Sequence, residues 1–264
     1  MGIKQLLSQQ LETTFYHMYS PKIAGGTTIR ILVLSDLHNY EFGSHNQELV
    51  EQAEKLKPDI IVMAGDMVNK EEDRTDVAVN LGYHLSQIAP VYYGLGNHEG
   101  TIIYVNGIAL EQELENAGVE VLVNRWIEKE IRGTPIMIGG ISGDVENYEL
   151  YSKEFVNEFE AQNEDAFKIL ITHFPDLYYE KLKDVKMDLG ICGHFHGGQI
   201  QLPGAGGLYS VDYGLFPKYC NGMFQLENCT IAVSRGLGNS HSIPRINNRP
   251  ELMVIDVNAR MMTE

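Results

Sequence analysis

The sequence predicts an α/β protein built on a largely parallel β-sheet. Apolar strand-like runs alternate with helical segments through the first half of the chain, and further strands crowd its carboxyl-terminal part. Of the 264 residues, 44% are hydrophobic, which is enough to form a large core. Parallel strands need a long crossover, usually helical, so this alternation is typical of a parallel sheet.

The strand–helix alternation occupies residues 29–95. Apolar runs at 29–34 (IRILVL), 59–64 (DIIVMA) and 91–95 (VYYGL) are separated by helical segments at 46–57 and 75–89. This order predicts a β-α-β-α-β unit.

The second half of the chain adds strands of both directions. WIEKEIR and PIMIGG predict an antiparallel pair, and KILIT (168–172) and MDLGIC (187–192) predict strands on either side of a helix near 175–183. GMFQL and CTIAVS, joined by a turn at ENC (227–229), and LMVIDV complete the set. Since no repeat or linker interrupts this part, we expect one domain over 28–264.

Residues 1–27 carry a different pattern. Apolar residues recur at the spacing of one helix face: Ile3, Leu7, Leu11, Phe15 and Met18. We predict an N-terminal amphipathic helix over 3–18, docked on the domain, followed by a short linker at 23–28. A membrane-surface helix would carry Lys and Arg on its polar face, and only Lys4 stands there.

Charge and composition exclude some classes of protein. A formal net charge of −16 argues against a protein that holds a nucleic-acid backbone. No apolar run approaches the ~20 residues that span a bilayer, so we expect no transmembrane or export segment. Three cysteines without a C-x-x-C spacing predict reduced thiols and a cytoplasmic location.

Metal-competent side chains follow five of the predicted strands. Each time an apolar strand ends, one small residue follows, and a carboxylate, carboxamide or imidazole comes next: Asp36, Asp66, Asn97, His173 and His194. In open α/β sheets the functional crevice lies beyond the carboxyl ends of the strands. We therefore expect these side chains to converge.

Three of these strand ends carry a second group: His38, His98 and His196. Glycines in GHFHGGQ (193–199) let the backbone bend, so that its two histidines serve neighbouring positions. A set of carboxylates, a carboxamide and imidazoles, without thiolate, suits Mn, Fe or Zn, and eight groups are too many for one ion. Taken singly, each aspartate has an alternative as a helix cap.

At this point the sequence resembles a known family. The motifs D-x-H, G-D, G-N-H-E, H and G-H-x-H, in this order within about residues 28–257, resemble those of the calcineurin-like metallophosphoesterases. GHFHGGQ, with VSRGLGNSHSIPRINNRPEL downstream, resembles their bacterial YkuE/YaeI-like subgroup. The resemblance implies a four-layer αββα sandwich of two mixed β-sheets with a dinuclear metal site.

The resemblance also implies a role for each motif residue. It assigns the first metal to Asp36, His38 and His196. It assigns the second to Asn97, His173 and His194, with Asp66 as a bridge between the two ions. It leaves His98 without a metal and facing the substrate as a catalytic residue.

The implied activity is hydrolysis of a phosphomonoester or phosphodiester in a phosphorylated small molecule, by a metal-activated hydroxide. Two alternatives stay open: a nucleotide-sugar or lipid pyrophosphate hydrolase, and a non-catalytic scaffold on the same fold. Candidate substrate contacts flank or lie near the glycine-rich GLGNS loop: Arg235, His241 and Arg245. For Glu99 we expect a structural role.

Overall fold

Two six-stranded mixed β-sheets stack face to face, with helices on both outer faces. The computed structural model describes residues 10–202, 204, 206–210, 213–239 and 244–259. This architecture is the αββα sandwich that the family resemblance implied, and the expectation is confirmed.

The elements are numbered along the chain. The strands are β1 (Glu12–Ser20), β2 (Thr28–Leu34), β3 (Ile60–Met63), β4 (Val91–Gly94), β5 (Val119–Leu122), β6 (Arg125–Ile131), β7 (Thr134–Gly140), β8 (Phe167–Ile171), β9 (Leu189–Cys192), β10 (Gln201–Leu202), β11 (Gly206–Gly207), β12 (Tyr209–Ser210), β13 (Gly214–Leu215), β14 (Gly222–Gln225), β15 (Thr230–Val233) and β16 (Glu251–Ala259). The helices are α1 (Gln47–Leu56), α2 (Asp76–Ser86), α3 (Asn97–Gly100), α4 (Leu110–Asn116), α5 (Tyr148–Tyr151), α6 (Lys153–Ala161) and α7 (Pro175–Glu180).

Each large sheet has a parallel centre. In the first sheet the order is β1-β16-β2-β3-β4-β5, with β2 to β5 parallel and β16 antiparallel to β2. In the second sheet the order is β14-β15-β9-β8-β7-β6, with β15, β9, β8 and β7 parallel. The predicted antiparallel pair, β6 with β7, and the predicted hairpin between β14 and β15 are confirmed.

The central strands are buried on both faces, which explains their unbroken apolar sequences. Along β2, Ile31 and Val33 pack between the sheets, whereas Leu32 and Leu34 pack against the layer of α1 and α2. Ile169 of β8 meets the same central layer from the other sheet. The sandwich therefore holds its strand ends rigidly.

The N-terminal helix prediction is wrong over the residues that the structure describes. Residues 12–20 form β1, an edge strand that pairs in parallel with β16. Tyr16 and Met18 pack on the layer between the sheets, whereas Phe15 and Tyr19 are exposed, which is the alternation of a half-buried strand. The predicted boundary at residue 27 therefore separates β1 from the sheet to which it belongs. Residues 3–9 of the predicted helix lie outside the described ranges.

Among the described residues, no helix has both the length and the apolar character needed to cross a bilayer.

Candidate metal centre

The carboxyl ends of five parallel strands meet at one end of the sandwich. β2, β3 and β4 of the first sheet and β8 and β9 of the second end here. The residues predicted from the strand-end pattern lie two or three positions beyond these ends: Asp36, Asp66, Asn97, His173 and His194. The two sheets thus supply ligand groups to one place.

Three sets of side chains in the described part of the chain are close enough to share an ion. Within each set, one potential ligand atom per residue lies within 4.8 Å of the others. The sets are Asp36, His38 and His196; Asp66, His173 and His194; and His38, Asp66 and His98. The first two match the predicted metal sets, apart from Asn97.

Distances link the two matching sets. His173 Nε2 lies 3.0 Å from Asp66 Oδ2 and 3.8 Å from Asp36 Oδ1, so it stands between the two carboxylates. His196 Nε2 lies 3.6 Å from Asp36 Oδ1 and 3.2 Å from His38 Nε2. All five of these side chains are buried.

The charge of the cluster and its unpaired acceptor atoms suit a bound metal ion. Two buried carboxylates need a cation, since isolated charges are costly inside a protein. Burial lowers the pKa of His173, but the Asp66 and Asp36 carboxylates outweigh it and raise that pKa to about 10. Burial lowers the pKa of His38 to about 3, so its imidazole is neutral and has a lone pair to offer. The buried Asn97 Oδ1 has no hydrogen-bond partner among the described residues, as expected of an acceptor reserved for a ligand.

The backbone is unusual at five of the site residues. Positive φ angles occur at Asp36 (51°), His38 (49°), Asp66 (53°), His194 (73°) and His196 (47°). Non-glycine residues seldom adopt this region, and each instance costs on the order of 1–3 kcal/mol. Such a concentration of strain is typical of a functional site, because the surrounding structure must hold these residues in place.

The small residues before the ligands let the loops approach each other closely. A Cβ atom added at Gly193 would overlap the Asp36 carboxylate, and one added at Gly96 would overlap that of Asp66. A residue without a side chain is therefore a steric requirement directly before the ligand at these two positions.

Glu99 ties two of the ligand loops together. Its buried carboxylate accepts hydrogen bonds from the backbone N–H groups of Asp66 (2.7 Å), Met67 (2.8 Å) and Gly96 (2.8 Å), and from the Tyr93 hydroxyl (2.7 Å). This supports the expected structural role of Glu99, since these contacts fix the loop that carries Asp66 against the loop that carries Asn97.

His98 is held in one orientation beside the carboxylate cluster. Its Nδ1 accepts a hydrogen bond from the Lys70 backbone N–H at 3.0 Å. The neutral imidazole therefore carries its proton on Nε2. That atom lies 3.9 Å from Asp66 Oδ2, and the ring packs edge-on against His38.

The structure gives other partners to the two arginines that the sequence offered as substrate contacts. Arg235 pairs with Glu12 at 2.8 Å and Glu251 at 3.2 Å, so carboxylates neutralise its charge. Arg245 is 6% exposed and donates to His196 Nδ1 at 3.1 Å. His241, the third candidate, lies outside the described residues.

Two interactions that hold the GHFH loop were not predicted from the sequence. The contact from Arg245 to His196 is one, and the other is made by Asn248, whose Nδ2 donates to the His196 carbonyl at 2.6 Å and the Gln199 carbonyl at 3.2 Å. Both residues lie far from the GHFH motif along the chain. Neither follows a strand in the pattern that marks the ligands, so no local signal reveals them.

The fold and the site together define a class: two-sheet αββα proteins with a buried, metal-competent cluster of histidines and aspartates at the carboxyl ends of parallel strands. A sequence model of the calcineurin-like phosphoesterases matches residues 29–198, and the chain belongs to that family. It is accordingly a metallophosphoesterase, a hydrolase of phosphoric esters. This membership and the full set of ligand motifs set aside the alternative of a non-catalytic scaffold.

Several bacterial relatives are similar to this protein over most of its length. It is 27% identical over 227 residues to the uncharacterized metallophosphoesterase YkoQ of Bacillus subtilis (85% of this chain, 82% of YkoQ). It is 27% identical over 263 residues to the metallophosphoesterase YkuE of the same organism (95% and 87%). It is 26% identical over 236 residues to phosphodiesterase YaeI of Escherichia coli (86% and 82%). The predicted YkuE/YaeI-like subgroup is confirmed.

Solved structures agree on the fold. The phosphopantetheinyl hydrolase PptH of Mycobacterium tuberculosis superposes with a TM-score of 0.51 at 15% identity, covering 81% of this chain and 91% of PptH. TT1561 of Thermus thermophilus gives a TM-score of 0.54 at 14% identity, covering 80% and 91%.

Proposed function

We propose that the protein hydrolyses a phosphodiester or phosphomonoester of a small molecule at a dinuclear metal site. The observation that carries this proposal is the pair of adjoining ligand sets, Asp36–His38–His196 and Asp66–His173–His194, at one end of the sandwich. Each set matches the residues that the family motifs assign to one metal. Asn97, with its unpaired Oδ1, completes the second set.

Asp66 is the residue best suited to serve both ions. It belongs to two of the three close sets, and His173 Nε2, which contacts it, also approaches Asp36. Its other oxygen, Oδ1, accepts the His98 backbone N–H at 2.9 Å, which fixes the carboxylate plane. We assign Asp66 as the bridging ligand.

Two divalent ions of Mn, Fe or Zn, when bound, neutralise the phosphoryl group and activate the attacking water. That source of positive charge is compatible with a chain whose net charge is −16, because the substrate does not depend on surface lysines. The ligand set excludes thiolates, which fits these metals better than Cu(I).

We propose that His98 donates a proton from Nε2–H to the departing oxygen, or a hydrogen bond that stabilises the charge there. The Lys70 backbone N–H occupies its Nδ1, which leaves Nε2–H as the group on the side of Asp66. A positioned acid of this kind contributes ~10²–10⁴ in rate. Since the relative YaeI is named a phosphodiesterase, diesters are the first substrates to test. The cytoplasmic location stays a prediction, based on three unpaired and buried cysteines.

The decisive experiment is metal removal and return on purified protein. The chain is stripped with a chelator, reconstituted with Mn²⁺, Fe²⁺ or Zn²⁺, and measured for bound metal and for hydrolysis of bis(p-nitrophenyl) phosphate and p-nitrophenyl phosphate. We expect chelation to abolish activity and two ions per chain to restore it. Activity that resists the chelator, or full activity with a single ion, contradicts the proposal.

A further inference from the structure

A partly exposed aromatic side chain lies close to the predicted second metal set. Tyr213, between β12 and β13, is 40% exposed, and its ring packs edge-on against that of Phe195, with 4.8 Å between the centroids. The Phe195 ring is buried, and its centroid lies 5.6 Å from that of the predicted ligand His194. One ring therefore separates Tyr213 from this ligand.

A buried carboxylate holds the phenol of Tyr213. The hydroxyl donates to Oδ2 of Asp176, which lies at the start of α7 and is 6% exposed. Among the described residues this hydroxyl is the one hydrogen-bond donor to the carboxylate, because Asp176 Oδ1 has no partner there. Burial and the Asp176 carboxylate raise the pKa of Tyr213, so the phenol stays neutral and keeps the proton for this bond. A hydrogen bond to a charged acceptor is about twice as strong as a neutral one, so this contact fixes the ring.

A second aromatic ring covers two ligands of the same set. Phe174 stands two residues before Asp176, and its partly exposed ring packs edge-on against His173 at 5.3 Å and His194 at 4.9 Å. Phe174 directly precedes α7, and Tyr213 is bonded to the first turn of that helix. The two rings therefore border the second set from the side of α7.

The segment that carries Tyr213 is fastened to the loop of the GHFHGG motif. The Leu208 N–H donates to the Ile200 carbonyl at 2.8 Å, and a Cβ added at Gly198 would come within 2.6 Å of the Gly207 Cα. This contact leaves no room for a side chain between the two loops. The position of Tyr213 beside the site is therefore set by backbone packing as well as by its hydroxyl.

The proposed acid lies beside the other metal set. The ring of His98 packs edge-on against that of His38, a member of the first set, at 4.5 Å. A departing oxygen must lie next to its proton donor. The leaving group is thus placed beside His98 and His38, and the side of His194 is left for the ester group that stays on the phosphate.

We propose that Tyr213, together with Phe174, binds a planar aromatic ring in the ester group that stays on the phosphate, and that Asp176 is a positioning residue for Tyr213. The preferred substrate is then a phosphodiester that carries an aryl or nucleoside group. This inference rests on the proposed function and names its substrate class. Since Asp176 occupies the hydroxyl, Tyr213 presents its ring, which suits another aromatic group better than a phosphate.

The test keeps the leaving group constant and varies the group that stays. The substrates are p-nitrophenyl phosphodiesters whose second ester group is methyl, phenyl or 5′-thymidyl, measured with full-length protein loaded with Mn²⁺. Stacking of one ring on an aromatic side chain predicts a kcat/KM for the phenyl and thymidyl diesters ~5–100-fold above that for the methyl diester. A higher value for thymidyl than for phenyl assigns a nucleobase, and the reverse assigns a simple aryl group.

Substitutions connect this preference to the aromatic residue. Tyr213→Ala should lower kcat/KM for the two aromatic diesters ~5–100-fold, with the methyl diester and the metal content unchanged. Tyr213→Phe keeps the ring without its hydroxyl, so its preference should lie between those of the wild type and Tyr213→Ala. Asp176→Ala should also reduce the preference, whereas Asp176→Asn, which keeps an acceptor for the hydroxyl, should lie near the wild type. If Asp176→Ala does not fold, Tyr213→Phe carries the test of the hydroxyl contact.

Tyr83→Ala is the matched control. Tyr83 is also a partly exposed tyrosine, at 50%, that packs edge-on against a neighbouring ring, but it lies on α2. This variant should hydrolyse all three diesters like the wild type, and the same loss of preference in it would contradict the inference.

Two results overturn the inference. One is a wild type with equal kcat/KM for the three diesters. The other is an equal loss on all three in Tyr213→Ala, because the shared nitrophenyl group or the metal site would then depend on the ring. If the wild type shows no metal-dependent hydrolysis of any of these diesters, the proposed function itself is contradicted.

Discussion

The aspartates of the site differ in the neighbouring groups that they contact. Asp66 contacts His173, lies near His98 and accepts that residue's backbone N–H, whereas Asp36 accepts the His194 backbone N–H at 3.0 Å and lies near His196. Their motifs are visible in the sequence because each follows a strand end directly. The sequence marks Arg245 only as a candidate substrate contact, and its contact with His196 could not be predicted because only the tertiary fold brings the two residues together.

Asp66→Asn should be the most damaging substitution among the ligands. Asparagine keeps the shape and the acceptor for the His98 backbone N–H but removes the charge that two ions would share. We expect loss of at least one ion and a fall in turnover of ~10²-fold or more. Elemental analysis and steady-state kinetics check this, with the exposed Asp76→Asn as control. A variant with both ions and the wild-type rate contradicts the bridging assignment.

His98→Asn should separate acid catalysis from metal binding. A nitrophenolate leaves without a proton but an alkoxide does not, so hydrolysis of an alkyl ester should fall ~10²–10⁴-fold and that of a nitrophenyl ester far less. Metal content should be unchanged, and the exposed His84→Asn serves as control. Equal losses on both esters would indicate phosphate binding. Loss of an ion would mean that His98 is a ligand, which its set with His38 and Asp66 also allows.

At the scale of elements, strands buried on both faces were predictable and β1 was not. β2, β3, β4, β8 and β9 have continuous apolar sequences because both sides are covered. β1 is half-buried at an edge, and its partner β16 lies at the other end of the chain. The spacing of Phe15 and Met18 with Leu11, just before the strand, resembles that of a helix face, whereas the Thr- and Tyr-rich composition of β1 favours a strand.

The close approach of the strand-end loops leads to a steric prediction at Gly96. Its φ of −104° is open to any residue, so Gly96→Ala tests space alone. The new Cβ would lie 2.7 Å from the Asp66 nitrogen and overlap its carboxylate. We expect loss of metal and activity with the fold retained by circular dichroism. Gly100→Ala, four residues on in open space, should behave as wild type, and equal behaviour of the two variants would contradict the argument.

At the scale of the whole molecule, the sandwich brings the strand ends of two sheets together. The sequence predicted this convergence of ligands only in part. The rule that ligands lie beyond parallel strand ends applies within one sheet, and it places Asp36, Asp66 and Asn97 together. The family resemblance implied two sheets, but not that His173 and His194 would arrive from the second one. The strand pattern alone does not say how many sheets the strands form.

Metal binding should stabilise the entire fold, and this stabilisation should fade in acid. Ions that bind only the folded chain add about 2.7 kcal/mol at a free concentration a hundredfold above Kd, which raises Tm by about 5–10 °C in a chain of this size. Metal-bound imidazoles are neutral. In the metal-free folded chain, burial lowers the pKa of His173, but the Asp66 and Asp36 carboxylates outweigh it and raise that pKa to about 10, so His173 holds a proton at pH 5.5–7.5. An ion must displace this proton, so the affinity for the ion, and with it the metal-dependent stability, must fall as pH falls. The Tm measured with Mn²⁺ and the Tm measured with chelator should therefore differ strongly at pH 7.5 and little at pH 5.5. Activity should decline over the same pH range and partly recover with excess metal.

The Asp66→Asn variant should show a smaller difference in Tm at pH 7.5. An equal Mn²⁺ effect at both pH values would mean that histidines do not hold the ions.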